Sequence, residues 1–457
     1  MSKPQIVPQE TSAPLSLLRK LGYGVGDFAS NITWQVVRLY LLFFYTDVFG
    51  ITAAEAGVIF LVSRVWDAIF DPMIGYIADH THTRWGKFRP YILFGSLPLG
   101  IILVMTFTTP DLGHDGKFVW ALVSYLLLVT LYSAVNLPFS SLTAAMTQDT
   151  NERGTLSGFR VFFAILAGIL VAVSTLPLVN SFPTKEIGFR NVLIIFSAIA
   201  TIVFFITFLS TRERISVESH VGYSLKEALR LLMANKPLIA LSMSVFFLGI
   251  ANTMTGATSL YFIKYNLKRE DLYPVYALFV ALCLIVGVVL STIMSKRIGK
   301  KNMYYAAIAI GMAVNVGVFV TPYSNIGLIF ILGALGGIGG GAGAQLMWSM
   351  APDTVEYAEW KTGLRAEGLT YSAFSFVQKL DTAIGGAFAG MILAFVGYVP
   401  NGVQTGTALN GILGIMTIAP FTAGILGIFC MRWYSLDSVR FNTIVSELKE
   451  RKIGTKG

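Results

Sequence analysis

Residues 271–301 read DLYPVYALFVALCLIVGVVLSTIMSKRIGKK, an apolar run of about 25 residues that ends in four basic side chains. A helix needs about 20 apolar residues to cross the roughly 30 Å of hydrocarbon in a bilayer. The run shows none of the alternation between polar and apolar residues that a barrel strand requires. We therefore interpret it as a membrane-spanning helix with a basic loop at one end.

Eleven further segments have the same character, so the sequence predicts an all-α polytopic membrane protein. Glycine supports close helix packing, most densely in the run from Gly333 to Ala344. Several segments exceed 25 residues, which indicates tilted or bent helices. The twelve predicted spans are residues 22–47, 53–79, 90–109, 119–146, 157–180, 190–211, 236–264, 271–295, 303–321, 326–350, 367–397 and 406–433.

The composition excludes several classes of protein. The chain has 457 residues, of which 54% are hydrophobic and 13% charged, whereas an ordinary globular domain carries about 25% charged residues. A soluble enzyme or a disordered chain is therefore excluded. The net charge of +9 does not indicate a nucleic-acid partner, because the basic residues lie between apolar segments and form no single stripe.

The chemistry-bearing residue types predict neither an enzyme nor a cofactor. Cys283 and Cys430 both lie inside apolar runs, and the four histidines form no metalloprotease-type pair. No pairing of a nucleophile with a base stands out. The first 20 residues are polar, which is not typical of a cleavable signal.

The 34 Lys and Arg residues predict the orientation of the chain. Twenty-five lie on the side of the N-terminus and six on the opposite side, and Arg38, Arg64 and Lys379 lie inside spans. Positive residues favour the cytoplasmic side. We expect both termini in the cytoplasm of a bacterial cell with the chain in the inner membrane, which requires an even number of spans.

Two loop motifs indicate an internal duplication. Residues 84–87 (RWGK) are echoed by residues 297–300 (RIGK), and residues 146–152 (MTQDTNE) by residues 350–356 (MAPDTVE). Each pair is separated by six spans, so the two copies have the same orientation. This pattern is typical of two parallel six-helix halves with a substrate site between them near the midplane. The predicted organisation is an N-terminal half at 1–211, a linker at 212–235, a C-terminal half at 236–433 and a cytoplasmic tail at 434–457.

Charged residues at the cytoplasmic ends of the spans are predicted gating residues. They anchor helix ends and lock one conformation through ion pairs. The candidates are Asp79, Arg84, Lys87, Arg89, Asp353 and Glu356.

Span 2 carries the pattern that points most directly to function. Arg64, Asp67 and Asp71 lie at i, i+3 and i+7, on one face of a helix. A charge at the bilayer centre costs about 2.5–3.5 kcal/mol, so such residues face a cavity or each other. Two neighbouring carboxylates hold a proton or give hard oxygen ligands to Na⁺. The alternative is a structural ion pair of Arg64 with one aspartate.

Polar stripes on spans 1 and 4 suggest a sugar cavity. Span 1 carries Asp27, Asn31, Trp34 and Arg38 on one stripe, and span 4 carries several further polar side chains. Amides, hydroxyls and an aromatic face suit a sugar; the alternative is hydrogen bonding between helices. The span-4 residues are Tyr132, Ser133, Asn136 and Ser140, and Trp348 is a weaker candidate.

Span 11 supplies a cation from the other half. Lys379 is placed to neutralise the span-2 carboxylates, and we include it in the substrate site as well. Asp381 lies about 200° around the helix from Lys379, and its role stays open.

These residues together resemble the glycoside–pentoside–hexuronide:cation symporter family of the major facilitator superfamily, which includes melibiose and glucuronide carriers. The resemblance covers nearly the whole chain. It depends on Tyr45-Thr-Asp47, on residues 64–72 (RVWDAIFDP), 83–90 (TRWGKFRP) and 136–138 (NLP), and on residues 353–357 (DTVEY) and 363–371 (GLRAEGLTY).

The resemblance implies roles for several residues. Asp67 and Asp71 match the aspartates that bind the coupling cation, with a hydroxyl matching Ser133 and a lysine matching Lys379 nearby. Asn136 completes the predicted cation site. In the melibiose carrier two aspartates clamp the sugar, and here those positions are Asn31 and Asn136, while its tryptophan position is Ser140. These differences argue against melibiose as the substrate.

We therefore predict a symporter that imports a glycoside together with Na⁺ or H⁺ by alternating access. We expect it to function as a monomer embedded in the lipid bilayer. Arg38 favours an anionic ligand such as a uronide or a sulfonated sugar, because arginine binds carboxylate and sulfonate bidentately. The alternative for Arg38 is an ion pair with Asp27 or another buried acid. The alternative function is lysolipid transport on a related fold.

Overall fold

The computed structural model describes residues 15–81, 83–147, 150–213, 225–364 and 367–454, and in those residues it contains fourteen α-helices and no strand. Twelve of the helices have 18 or more residues, as the twelve predicted spans require. The helices are α1 Leu17–Phe43, α2 Ala53–Asp79, α3 Arg89–Thr106, α4 His114–Met146, α5 Thr150–Asn180, α6 Lys185–Ser210, α7 Leu225–Ala234, α8 Lys236–Tyr261, α9 Tyr273–Ile298, α10 Lys300–Val320, α11 Ile326–Thr362, α12 Glu367–Phe395, α13 Gly406–Met431 and α14 Ser438–Gly454.

The helix ends follow local sequence signals. Thr52 forms a capping box with Glu55 at the start of α2, and the side chains of Thr184, Asn235 and Thr405 accept hydrogen bonds from the first turns of α6, α8 and α13. Two π-helical turns, Phe44–Phe49 and Phe262–Asn266, continue α1 and α8.

The packing of the helices confirms the internal duplication. In the first half, α1 packs against α5 and α6, α4 against α2 and α3, and α3 against α6. The second half repeats each of these pairings, with α8 against α12 and α13, α11 against α9 and α10, and α10 against α13. Between the halves, α2 packs on α12, α5 on α9 and α1 on α8. The two halves are therefore parallel repeats about an axis between α1 and α8.

The glycine run of α11 brings this helix close to α9. A Cβ on Gly337 would lie 2.6 Å from the carbonyl oxygen of Val280, and one on Gly341 would overlap that of Leu284. These glycines are four residues apart, so they form one face on which the α9 backbone rests.

Nine of the described helical segments are long and apolar enough to cross a membrane by length and composition alone. The remaining three long helices are α1, α2 and α12. These three helices are less apolar because they carry the charged residues of the predicted site. Their composition therefore differs from that of the other long helices.

Several element bounds differ from the sequence prediction. The helix α5 begins about two turns before the predicted start at residue 157, and α11 continues twelve residues past the predicted end at residue 350. The extensions are polar, so hydropathy alone ends each span too early. The structure also contains α7 in the predicted linker and α14 in the tail, where no helix was predicted.

The bundle has two ends, which we call the linker side and the far side. The linker side carries Leu15, residues 211–213, α7 and α14. The far side carries the connections at residues 50–52, 107–113, 181–184, 267–269, 321–325 and 396–405.

Candidate substrate and cation site

The charged face of α2 points away from its exposed apolar face. Val65 and Ile69 are exposed, and each lies two residues, or about 200°, from a charged residue of the predicted cation site. The Nη1 of Arg64 donates to Oδ2 of Asp67 over 3.0 Å, and the two side chains are 13% and 12% exposed. The buried ion pair that was an alternative in the sequence is therefore present at Asp67.

Asp71 has a different partner from the other half of the protein. Lys379 of α12 donates to Oδ2 of Asp71, so this bond joins α12 to α2. The Lys379 side chain is 45% exposed and that of Asp71 is 15% exposed, so the pair is not sealed in the interior. Oδ1 of Asp71 is buried and has no hydrogen-bond partner among the described residues.

Pro72, the residue after Asp71, alters the backbone hydrogen bonding of α2. Proline has no backbone N–H, so the carbonyl of the residue four positions earlier, Ala68, loses its helical hydrogen bond. Hard monovalent cations prefer oxygen ligands of this kind. Among the described residues no group of three or more His, Cys, Asp or Glu forms a metal cluster, so any cation here relies on these few oxygens.

An aromatic platform lies beside the charged face. The rings of Trp34 on α1 and Tyr132 on α4 stack with centroids 5.1 Å apart. The Arg64 guanidinium lies 5.4 Å from the Trp34 ring centroid. The structure thus brings together two predicted substrate residues, Trp34 and Tyr132, and Arg64 of the charged face, from three helices of the first half.

The amides of the predicted sugar site are already bonded. The Ser30 hydroxyl bridges Tyr132 and Asn136: it donates to Oδ1 of Asn136 over 3.0 Å and lies 3.1 Å from the Tyr132 hydroxyl. Asn31 donates to the backbone carbonyl of Asp27 over 2.9 Å. Asn136 therefore lies in the α1–α4 contact, and none of its described bonds reaches Asp67 or Asp71.

Asp27 pairs with Arg160 of α5, a residue absent from the predicted site. The Arg160 guanidinium donates to both oxygens of Asp27, to the hydroxyl of Ser140 over 3.3 Å and to that of Tyr23 over 3.3 Å. Arg160 was not counted among the basic residues inside spans, whereas the structure places it within α5. The alternative of an Arg38–Asp27 pair was wrong. An acid on span 1 without a basic neighbour on its own helix was the available signal.

Arg38 and Asp381 are the remaining buried charges. Arg38 is partly buried, and no hydrogen bond or ion pair joins it to any described residue; its guanidinium faces Gly256 of α8. Asp381 is 5% exposed, and its described hydrogen bond comes from Thr382 over 3.1 Å. The two charges interact electrostatically across the interface between the halves.

Two other predicted residues stand apart from this cluster. Ser133 is 7% exposed, and within the described chain no hydrogen bond links its hydroxyl to Asp67 or Asp71. Trp348 is 47% exposed and packs edge-on against Phe374, with centroids 5.6 Å apart. Trp348 thus contacts α12 within the second half.

Two of the predicted gating residues, Arg89 and Asp353, make described bonds within their own half. Arg89 donates to the carbonyl oxygens of Trp85 and Phe208 over 3.1 Å and 2.6 Å. Lys300 donates to both oxygens of Asp353 over 2.8 Å, so the two repeated motifs of the second half meet.

The other predicted gating residues lie around these bonds. The backbone N–H groups of Lys87, Phe88 and Arg89 donate to Glu213. The Arg84 guanidinium stacks over Trp85 at 4.1 Å, and Glu356 lies one turn beyond Asp353 on α11. The side chain of Asp79 is outside the described part of the structure.

The far side holds a cluster that sequence reasoning missed, which we call the Asp47 latch. The carboxylate of Asp47, at the end of α1, accepts from Lys264 over 2.7 Å, from Tyr398 over 2.5 Å and from the Tyr265 hydroxyl. The Asn401 amide donates to the Asp47 carbonyl over 2.6 Å. All four partners belong to the second half. The motif Tyr45-Thr-Asp47 was the available signal.

The chain is similar to known proteins over nearly its whole length. Over residues 22–438 the chain matches the family described as MFS/sugar transport protein. It is 37% identical over 439 residues to the glucuronide carrier protein homolog of Escherichia coli (strain K12), covering 94% of this chain and 95% of that protein. It is 35% identical over 447 residues to the isoprimeverose transporter of Lactiplantibacillus pentosus, covering 96% and 92%.

A solved structure shows the same fold. It is a bacterial homolog of the human lysosomal transporter Spinster in an inward-facing, unoccupied conformation, with a TM-score of 0.65 over 95% of this chain and 97% of that one. The sequence identity is 15%, so this likeness supports the fold alone.

Proposed function

The chain belongs to the glycoside–pentoside–hexuronide:cation symporter family of the major facilitator superfamily, and on that premise we propose that it imports a glycoside together with Na⁺ or H⁺ by alternating access. Members of this family are transporters and not enzymes. The chain is a multi-pass protein of the bacterial inner membrane.

The ion pair of Asp71 with Lys379 supports the coupling most directly. It joins the two halves, and one oxygen of Asp71 is left without a described partner. A proton or Na⁺ on Asp71 competes with the Lys379 ammonium, because both neutralise the same carboxylate. Binding of the cation therefore loosens a bond between the halves, and any ligand that favours the loosened arrangement raises the cation affinity in return.

The positions of the bonds between the halves support alternating access. The Asp47 latch closes the far side, while the bonds described above for the linker side stay within one half. The excess of Lys and Arg on the linker side predicts that this side faces the cytoplasm. We propose that the described arrangement faces inward, and that breaking the latch while closing the linker side gives the outward-facing arrangement.

The substrate site is proposed around the stacked rings of Trp34 and Tyr132. An aromatic face of this kind packs against a pyranose ring, and Asn31 and Ser140 at the edge supply polar groups. Arg38 has no described bond of its own, so its guanidinium is available to a carboxylate or sulfonate. We propose an acidic glycoside as the preferred substrate. No observation favours lysolipid transport.

Uptake into right-side-out membrane vesicles tests both parts of the proposal. A labelled glucuronide and a neutral xyloside are compared under an imposed Na⁺ or pH gradient. Asp71→Cys is expected to abolish gradient-driven accumulation of both sugars while slow exchange remains. Arg38→Gln is expected to reduce glucuronide uptake at least tenfold more than xyloside uptake, because a bidentate charged contact contributes about 1.5–3 kcal/mol.

Asp271→Asn serves as the matched control. This aspartate is 63% exposed and pairs with Arg269 on the far side, so both sugars should accumulate as in the wild type. Full accumulation by Asp71→Cys would refute the coupling role. Equal loss of the two sugars in Arg38→Gln would refute the acidic substrate and leave the coupling intact.

A further inference from the structure

Apart from the pairs of Asp47 and Asp353, the described residues of the site include four acidic and four basic side chains, and three of the four possible pairs are bonded. Asp27 pairs with Arg160, Asp67 with Arg64 and Asp71 with Lys379. Arg38 on α1 and Asp381 on α12 remain, with opposite charges and in opposite halves. Because an isolated charge in the membrane costs several kcal/mol, two unlike charges left over in one interior call for an explanation.

Asp381 is placed too tightly to be an ordinary surface acid. A Cβ on Gly249 of α8 would overlap the Asp381 carboxylate, so the glycine makes the room that this side chain occupies. Thr382, its neighbour in sequence, donates the described hydrogen bond. The charged groups that act on it from the packed helices are Arg38 of α1 and Arg64 of α2. Arg64 is bonded to Asp67, whereas Arg38 has no bond to any residue that the structure describes.

The Arg38 side chain lies against the same face of α8, about two helical turns after Gly249. Its Nε lies 3.6 Å from the position of a Cβ on Gly256, seven residues after Gly249. Residues seven apart lie on one face of a helix, so the two glycines lie in one line, with Asp381 at the first and Arg38 at the second. The two charges therefore face a common strip of α8 that has no side chains at these points. Their attraction acts across this strip.

We propose that Asp381 is the counter-charge of Arg38 and sets the charge selectivity of the substrate site. It balances the Arg38 guanidinium when a neutral glycoside is bound, and it opposes an acidic group that binds at Arg38. An acidic substrate is therefore held less tightly than Arg38 alone would hold it, which favours its release. The selectivity role rests on the acidic substrate proposed above. The pairing of Arg38 with Asp381 does not depend on that substrate.

A pair of nearly isosteric ligands tests the selectivity in the purified full-length protein. The affinities for p-nitrophenyl β-D-glucuronide and p-nitrophenyl β-D-glucoside are measured, and their ratio isolates the carboxylate. Asp381→Asn is expected to shift the ratio toward the glucuronide by on the order of tenfold, as expected for one charge removed at about 10 Å in a partly screened interior. Asp381→Glu keeps the charge and should keep the wild-type ratio.

A double-mutant cycle tests the pairing without any ligand. Arg38→Gln and Asp381→Asn should each lower the melting temperature, because each leaves one buried charge unbalanced, and the double variant should melt above the less stable of the two. If Asp381→Asn alone does not fold, the double variant should still do so. Additive losses, or a double variant as unstable as the single ones, would overturn the counter-charge.

The outcomes separate this inference from the proposed substrate. An unchanged ligand ratio in Asp381→Asn, with Arg38→Gln still weakening the glucuronide, overturns the selectivity role alone. If Arg38→Gln changes neither affinity, the acidic-substrate proposal fails and the selectivity role fails with it. The melting-temperature cycle then decides whether the two charges form a structural pair.

Discussion

The two ends of the bundle use the same chemistry with opposite consequences. On the far side, Asp47 of the first half accepts from Lys264 of the second half over 2.7 Å, with side chains 0% and 13% exposed. On the linker side, Asp353 accepts from Lys300 over 2.8 Å, with side chains 10% and 37% exposed, and both residues belong to the second half. A buried Asp–Lys pair is therefore a latch between halves at one end and a brace within a half at the other.

The difference teaches which bonds restrict motion between the halves. A bond within a half moves with that half and adds nothing to the barrier for rocking. A bond between the halves must break before the far side opens. The Asp47 latch also includes Tyr265 and Tyr398, so it concentrates several charge-assisted hydrogen bonds on one carboxylate.

The largest effect is expected from Asp47→Asn. Removing the carboxylate leaves the Lys264 ammonium buried without its charge partner, a change that typically costs about 3–5 kcal/mol. We expect faster amide hydrogen exchange on the far side, at residues 44–49 and 262–266, and a shift toward an arrangement open at that side. Hydrogen-exchange mass spectrometry of the purified protein measures the exchange rates of these residues.

Asp353→Asn is the matched control for that experiment, since it breaks the brace on the linker side. It should destabilise the second half near Lys300 and leave exchange at the far side unchanged. Far-side exchange that rises equally in both variants would contradict the distinction between latch and brace.

An intermediate effect is expected from Gly390→Val on α12. A Cβ at this position would lie 2.6 Å from the carbonyl oxygen of Ala53 on α2, so a larger side chain pushes the two halves apart near the far side. Overpacking of this kind typically costs about 1–3 kcal/mol. We expect a lower melting temperature and slower glycoside uptake.

Gly340→Val is the comparison for Gly390→Val, because no neighbouring atom lies within 4 Å of a Cβ at Gly340. Both glycines lie inside long helices, so the loss of helix flexibility is similar. Equal losses of melting temperature in the two variants would show that contact between the halves is not what Gly390 provides.

The smallest effect is expected from Glu270→Gln. Glu270 accepts from Lys185 over 2.5 Å across the halves, but the two side chains are 24% and 34% exposed. Exposed pairs contribute about 0–1 kcal/mol and are screened by salt. Uptake and melting temperature should stay close to the wild type, and a loss comparable to that of Asp47→Asn would show that the latch extends to this pair.

Much of the fold was predictable because it depends on local sequence. Apolar length predicted the twelve long helices, and the repeated motifs around Lys87 and Lys300 predicted the duplication. The spacing of Arg64, Asp67 and Asp71 placed them on one helical face. The start of α5 and the end of α11 were not predictable from hydropathy, because the first turns of α5 and the last turns of α11 are polar and lie outside the apolar run.

The partners of the charged residues were harder to predict. Arg160 was not counted among the basic residues inside spans, and Asp47 was noted only as part of a motif. Each is 133 or more positions away in sequence from the charged residue to which it bonds. No periodicity within one helix carries information about such a contact.

The sequence alone determined that this protein is a helical membrane transporter with buried charges on α1, α2 and α12, because hydropathy and helical spacing are properties of short segments. The tertiary structure decided which acid meets which base. It placed Lys379 on Asp71, 308 positions away in the sequence, and left Arg38 and Asp381 facing one strip of α8. The physical reason is that an ion pair depends on the distance between two side chains, and that distance is set only when the helices pack.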